Sequence, residues 1–374
     1  MSKFPIMHAR SPQLSSTDIA ARLTEFLTAM RQQRRMKAQA EAGELASIKS
    51  DGPDDDPYVV PKDTRAVFLS NADRQAIERR AGRLHKRQIT AGGLGHLNRE
   101  ERERLSSLDS GVGMVQIPDE HRADELAAAV HAEMPWMAAA TEHAWHAMRR
   151  SVREGHAGFR LPPVILDGTP GIGKSRWAMR LGQLIGAQST IVDATGESAS
   201  FGVVGCQRGW TGAGPSRLLE LILAKMSGNP ILVIDELEKA GKVVSSRGSP
   251  FGLAEGLLPL LERDTAANWT CPFYRVRFNM SWVSWILLTN NVALLPDPLL
   301  SRCTIIRLKE VPLADLMRFA EREGQARGLS ETSISAIIDA LASVSPKARA
   351  RPSLRSVQRM LDLAANLENT QRAM

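Results

Sequence analysis

One stretch of eight residues constrains the fold of this chain more than any other. Residues 168–175 read GTPGIGKS and match the phosphate-binding loop pattern G-x-x-x-x-G-K-[ST] at every fixed position. A short apolar run, 163–167, precedes the loop, and a segment with helical spacing, 176–184, follows it. In this order, backbone N–H groups and the start of the helix can surround a phosphate. The predicted phosphate-binding residues are Gly168, Thr169, Pro170, Gly171, Ile172, Gly173, Lys174 and Ser175.

Two side chains of this loop have predicted roles of their own. Lys174 is expected to reach the β- and γ-phosphates of a nucleoside triphosphate, and Ser175 to place its hydroxyl on Mg²⁺. The alternative is a glycine-rich turn before an ordinary helix, which is disfavoured because the motif and both of its flanks agree. ATP and Mg²⁺ are therefore the predicted ligands of the loop.

Four more apolar runs predict the rest of a sheet. They cover 190–194, 231–236, 285–289 and 304–308, and the segments between them leave room for helices. With the strand before the loop, they make five strands in an α/β pattern. This pattern predicts a five-stranded parallel sheet covered by helices on both faces, as in P-loop NTPases.

The run 231–236 ends in two carboxylates, Asp235 and Glu236. Four aliphatic residues followed by two acids, about sixty residues after the loop, are typical of a Walker-B strand. Asp235 is predicted to support Mg²⁺, directly or through water. Glu236 is predicted to polarise the attacking water.

Composition narrows the classes of protein that this chain can be. Its 374 residues carry a net charge of +7, and 43% are hydrophobic, which is ordinary for a soluble protein. The basic balance permits weak attraction to nucleic acid, but the charges are interspersed and we find no DNA-binding motif. Cys206, Cys271 and Cys303 are too widely spaced for a disulfide framework or a metal set. With no membrane-length apolar run and no signal-peptide core, we expect a soluble cytoplasmic protein.

The N-terminal part reads as basic helices. Residues 1–14 are expected to be unstructured, a helix with a basic cluster at 31–37 begins near Ser16, and a second basic helix covers 70–88. The basic residues are expected to form solvated helical faces. A contact for nucleic acid or an acidic partner is the alternative.

Flexible breaks and a histidine pair complete this part of the chain. Residues 51–57 read as a linker, and 111–113 as a flexible break. His143 and His146 lie one turn apart on a further helix, but no acidic or thiol partner stands at zinc spacing. Surface or packed histidines are the expected reading.

The loop and the Walker-B strand together resemble an AAA+ ATPase. The closer resemblance is to the ATPase module of Lon proteases, and ClpX is a more distant relative. Three further stretches carry it, namely 209–218, 235–239 and 257–262. The resemblance implies that Trp210 lies on a loop lining a central pore, where it grips polypeptide. A tryptophan folded under that loop is the alternative.

The same resemblance assigns roles to an asparagine and an arginine. Residues 289–291 and 295–302 resemble the sensor-1 and arginine-finger region of the family. The spacing favours Asn290 over Asn291 as sensor 1, whose amide would hold the attacking water. Arg302 would act in trans on the nucleotide of a neighbouring subunit. A strand-end turn residue and a surface arginine are the alternatives.

The last part of the chain, 309–374, reads as three helices. It resembles the helical lid that closes over nucleotide in AAA+ proteins. The stretch 355–359 is similar to the sensor-2 motif, and we choose Arg355 for that role. Arg351 and Arg359 are rivals, and a solvent-facing helix arginine is the alternative.

These inferences combine into four expected parts. They are a helical, partly flexible N-terminal region for recruitment (1–115), a helical linker (116–160), the AAA+ core (161–308) and the lid (309–374). The resemblance implies a ring, expected to be a hexamer, that hydrolyses ATP to remodel or translocate protein clients. Because the resemblance stops before the protease domain of Lon, we expect no proteolysis by this polypeptide alone. The alternatives are an ATP-dependent switch or assembly factor and a nucleic-acid remodeller, each recruited through the N-terminal helices.

Overall fold

The five expected strands form one parallel sheet in the computed structural model of this protein. The structure describes residues 3–48, 68–196, 199–208, 213–240, 242–244, 250–344 and 352–372, so the expected linker at 51–57 lies outside it. The strands are β1 Lys3–Phe4, β2 Val112–Gly113, β3 Val164–Asp167, β4 Ser189–Asp193, β5 Ile231–Asp235, β6 Lys242–Val244, β7 Pro250–Gly252, β8 Trp269–Thr270, β9 Arg277–Phe278, β10 Ser284–Thr289 and β11 Thr304–Arg307.

Helices make up most of the rest of the described chain. They are α1 Ser16–Ile48, α2 Asn71–Ala91, α3 Arg99–Ser106, α4 Glu120–Glu133, α5 Ala138–Arg153, α6 Lys174–Ile185, α7 Ala199–Val204, α8 Arg217–Lys225, α9 Leu253–Leu261, α10 Arg263–Ala266, α11 Asp297–Leu300, α12 Leu313–Ala326, α13 Glu331–Ala342 and α14 Leu354–Arg372. Across the described residues, we find no helix with the length and apolar content of a membrane span.

The order of the strands places the motifs at one edge of the sheet. The sheet runs β11-β3-β10-β5-β4, so the strand before the phosphate loop is flanked by β10 and β11. Asp167 lies opposite Thr289, and Asp193 lies opposite Asp235. Because parallel strands in register end together, the loop, the two acids and the residues after β10 meet at the carboxyl edge.

Burial explains why these segments form central strands. All six residues of β10 are buried, as are the first three of β3, which is expected of a strand covered on both faces. Helix α6 presents Trp177, Ala178 and Leu181 to the core at helical spacing. The Trp177 indole Nε1 donates to Thr141 Oγ1 at 3.0 Å, so its polar end is satisfied in the interior.

The three C-terminal helices pack together around a core of their own. Helices α12, α13 and α14 pack through Phe319, Leu341, Val357 and Leu361, all buried. Ser330 caps α13, because its side chain accepts a hydrogen bond from the Ser333 amide.

Contacts divide the described chain into two compact units, which are residues 9–106 and residues 1–8 with 107–374. In the smaller unit, α1 packs against α2. Ser70 and Asp73 form a reciprocal cap at the start of α2. The Asp73 carboxylate also accepts two hydrogen bonds from the Arg31 guanidinium, at 2.7 and 2.8 Å.

Two expectations for the N-terminal part are wrong. Residues 1–14 are not wholly unstructured, because β1 pairs antiparallel with β2 and Ile6 is fully buried. Residues 111–113, expected as a flexible break, include that partner strand. The pairing joins residues more than one hundred positions apart, so no local pattern in the sequence could indicate it.

Candidate functional site

The phosphate loop curls as its glycines require. Gly171 has φ +82° and Gly173 has φ +92°, a region that residues with a side chain rarely adopt. Helix α6 begins at Lys174, directly after the curl, so its first N–H groups lie beside the loop. The local geometry is that of an anion-binding helix start.

Lys174 lies between the loop and the end of β10. Its Nζ donates to Asn290 Oδ1 at 2.9 Å and also contacts the Gly168 carbonyl oxygen. Burial lowers the pKa of Lys174, while the nearby carboxylates of Asp235 and Glu238 work against that shift. The Lys174 ammonium group thus lies beside the loop in contact with two oxygen atoms, and the oxygen atoms of a bound phosphate could replace them.

Ser175 and Asp235 are joined across the site. The Ser175 hydroxyl donates to Asp235 Oδ2 at 2.6 Å, and the Glu236 amide donates to Asp235 Oδ1 at 2.9 Å. A hydroxyl and a carboxylate are hard oxygen ligands, and Mg²⁺ in nucleotide sites uses one or two such groups with substrate phosphates. Within the described residues, no cluster of three metal-binding side chains exists that would form an all-protein cage. The donor set fits Mg²⁺.

Glu236 follows Asp235 in an unusual backbone conformation. It has φ +54° and ψ +40°, which is left-handed and uncommon for a residue with a side chain. Its Oε1 forms an ion pair with Lys239 Nζ at 2.8 Å. This turn changes the direction of the chain directly after β5. The ion pair with Lys239 holds the Glu236 carboxylate at the edge of the site.

A third acid, Glu238, orients the Asn290 amide. The Asn290 Nδ2 donates to Glu238 Oε1 at 2.8 Å, which leaves Oδ1 facing Lys174. Burial raises the pKa of Glu238, but hydrogen bonds from the backbone, Thr289 and Asn290 outweigh it and lower the pKa overall. The sequence reasoning missed this residue. Its only signal was an acid within the extended Walker-B stretch.

A cavity of about 650 Å³, a usual size for a nucleotide-sized ligand, is lined by residues 170–175 and by Asp235, Glu236 and Asn290. The loop and the strand ends form one side, and Phe319, Leu354 and Arg355 of the C-terminal helices form another. Trp136 also lines the cavity, and its Nε1 donates to the Ile172 carbonyl at 2.8 Å.

The start of α14 approaches the loop closely. A Cβ atom built on Gly171 would lie 3.2 Å from Ser353 Oγ, and one built on Gly173 would lie 3.1 Å from Leu354 Cδ1. Arg355, the sensor-2 candidate, thus comes into the cavity. Arg359 is not among the residues that line it, and Arg351 lies outside the described residues.

One candidate, Arg302, is not brought to this cavity. Arg302 forms an ion pair with Glu262, at 2.7 Å between Nε and Oε1, and its Nη1 donates to the Pro298 carbonyl at 2.7 Å. Its side chain is 29% exposed. Trp210, the pore-loop candidate, lies outside the described residues.

Comparisons with known proteins agree with this geometry. Residues 164–311 match the model of the ATPase family associated with various cellular activities (AAA). The mitochondrial Lon protease homolog of Phaeodactylum tricornutum is 29% identical over 207 residues, which are 53% of this chain and 23% of that protein. The Lon protease of Geobacter metallireducens is 25% identical over 214 residues, 56% of this chain and 25% of that protein. Lon protease 2 of Sorangium cellulosum is 22% identical over 363 residues, 87% of this chain and 44% of that protein.

The expected resemblance to AAA+ ATPases and to Lon proteases is therefore confirmed. This chain spans less than half of the length of each of these three relatives, and about a quarter of two of them.

Proposed function

We propose that this chain, whose residues 164–311 form an AAA-family ATPase domain, binds ATP with Mg²⁺ and hydrolyses it. One observation carries the proposal. Lys174 contacts Asn290, and Ser175 contacts Asp235, at the mouth of one cavity beside a curled glycine loop. Loop amides, a cation and a hydroxyl–carboxylate pair are the parts that phosphoryl transfer needs around a triphosphate.

The loop residues and Lys174 would hold the phosphates and position the terminal one. Ser175 and Asp235 would hold Mg²⁺, which when bound neutralises charge on the phosphate oxygens. The Glu236 carboxylate would orient and polarise the attacking water. Its ion pair with Lys239 uses only Oε1, so the second carboxylate oxygen would be available to the water.

Two further groups would sense the terminal phosphate. Asn290 already contacts Lys174, so its amide lies where that phosphate is expected. Arg355 would bring a second cation from the lid, so that lid position and nucleotide state are coupled. Its place in the cavity supports this role over Arg359, which does not line it.

We further propose that the protein acts as a homo-oligomeric ring, a hexamer, in which Arg302 reaches the nucleotide of the next subunit. Arg302 is partly exposed and does not line the cavity of its own chain, which supports an action in trans. By analogy with Lon proteases, the ring would remodel or translocate protein clients in the cytoplasm, gripping them through Trp210. The identity of the client would depend on residues 1–115.

The chemistry is tested by two substitutions. Glu236→Gln should retain ATP binding but lose hydrolysis by roughly 10²-fold or more, because the general base is removed. Lys174→Ala should lose binding or turnover. Equilibrium binding of ATP and phosphate release, each with Mg²⁺ and with EDTA, measure both effects.

A matched control is Glu321→Gln, since Glu321 is an exposed acid on α12. Its hydrolysis rate should equal that of the unmodified protein. Full hydrolysis by Glu236→Gln or by Lys174→Ala would remove the site assignment.

A further inference from the structure

The outer face of α2 carries a compact group of cations. Arg79, Arg80, Arg83, Lys86 and Arg87 are all exposed. At 3.6 residues per turn, they fall within a sector of about 120°, opposite the buried Ile77, Ala81 and Ile89. The remaining residues of this sector are small, namely Ala72, Ala76 and Thr90. We call the five cations the α2 basic face.

The α2 basic face has no charge partner in the part of the chain that the structure describes. The two acids of α2 point elsewhere, since Glu78 lies outside the sector and Asp73 is held by Arg31. Arg83 stands one turn from each of the other four cations, and like charges at this spacing destabilise a helix. An ordinary solvated helix face carries both acidic and basic residues. The repulsion among these five cations lowers the stability of the helix, and a bound anionic ligand would relieve it.

The chemistry of the sector favours nucleic acid over an acidic protein. Protein interfaces depend on aromatic or apolar anchors at their centre, and this sector offers only alanine and threonine methyl groups. Single-stranded nucleic acid is held by aromatic side chains on which bases stack, and the sector has none. A duplex backbone needs only positioned cations, and arginine suits phosphate well.

We propose that the α2 basic face binds the phosphate backbone of duplex nucleic acid without reading its sequence. The inference goes beyond the proposed ATPase activity and does not depend on it. Residues 79–87 rise about 12 Å along the helix axis, so all five cations can meet one stretch of backbone. The surface would bring a nucleic acid to the protein, whatever the ATPase acts on.

The test compares two triple variants of the full chain with equal loss of charge. R79Q/R83Q/R87Q removes the centre of the face, and R22Q/R74Q/R99Q removes three exposed cations elsewhere in the same unit. The probe is a labelled 20-base-pair DNA duplex of mixed sequence, whose binding is followed by fluorescence anisotropy at several KCl concentrations. Five phosphate contacts predict a slope of log K against log salt of about −4.5, and two predict about −1.8.

We expect R79Q/R83Q/R87Q to lose roughly tenfold or more in affinity and to show the shallower slope, while R22Q/R74Q/R99Q keeps the steep one. The melting temperature of R79Q/R83Q/R87Q should not fall, because its substitutions relieve repulsion within the α2 basic face. Its basal ATP hydrolysis should be unchanged. Equal loss in both variants would overturn the proposal, as would tighter binding of a single strand. Tighter binding of poly-glutamate would assign the face to an acidic protein partner instead.

Discussion

A single carboxylate, Glu238, decides which end of the Asn290 amide faces Lys174. We predict that Glu238→Gln lowers kcat by about tenfold with little change in KM. A glutamine can either accept from or donate to the Asn290 amide, so the orientation is no longer unique. The exchange of a charged acceptor for a neutral one is worth about 1.4 kcal/mol, which is one decade in rate. Steady-state phosphate release at saturating and limiting ATP separates the two constants.

The control for this prediction is again the exposed Glu321→Gln. A rise in KM at constant kcat would mean that Glu238 supports binding of ATP rather than the position of Asn290. An unchanged kcat would show that the amide orientation does not matter for hydrolysis.

At the scale of residues, the sequence could predict which candidate side chains lie close together when those residues stand at the ends of parallel strands. Lys174, Ser175, Asp235 and Asn290 each stand at or directly after the end of a strand or loop, so a parallel sheet brings them together. Glu238 could not be placed in this way. It follows the left-handed turn at Glu236, and after that turn its side chain contacts Asn290. Its role depends on a dihedral angle that no spacing rule contains.

At the scale of elements, the start of α14 packs directly against the phosphate loop. We predict that Gly171→Ala lowers the free energy of unfolding by about 1–2 kcal/mol, the cost of a left-handed residue with a Cβ atom. It should also weaken ATP binding, because the new methyl group presses on Ser353 and displaces the start of α14. Urea unfolding and equilibrium ATP binding measure the two effects.

Gly186→Ala is the matched control, because Gly186 has a similar φ of +80° but open space around its Cβ position. This variant should lose similar stability and keep its affinity for ATP. If both variants bind ATP equally well, the contact between α14 and the loop does not hold the nucleotide site together.

The sheet could be predicted closely from its sequence, whereas the pairing of β1 with β2 could not. Each core strand is an apolar run bounded by turn residues. This signal is local, so it can be recognised without knowing which strands pair with it. Strands β1 and β2 have two residues each and are brought together by packing across the chain. Short strands of this kind have no periodicity to detect, and the glycines at 111 and 113 make the segment of β2 read as a break.

At the scale of the whole molecule, the position of Arg302 raises the question of which subunit it serves. The ion pair with Glu262 and the bond to the Pro298 carbonyl fix its guanidinium within its own chain. A fixed guanidinium is the form that stabilises charge on a transferring phosphoryl group. It does not line the cavity of its own chain, so the nucleotide that it serves would have to be bound by a neighbouring copy.

We therefore predict that Arg302→Ala retains ATP binding but loses about 10³-fold in hydrolysis, the usual contribution of such an arginine. Mixing it with the inactive Lys174→Ala protein should restore part of the activity. In the mixed ring, a Lys174→Ala subunit supplies an intact Arg302 to a neighbour whose phosphate loop is intact. Phosphate release across mixing ratios should rise and then fall, because active interfaces need one subunit of each kind. Arg318→Ala, which removes an exposed arginine paired with Asp315, should behave as the unmodified protein. If no mixture regains activity, Arg302 acts within its own chain or not at all, and the ring loses its main support.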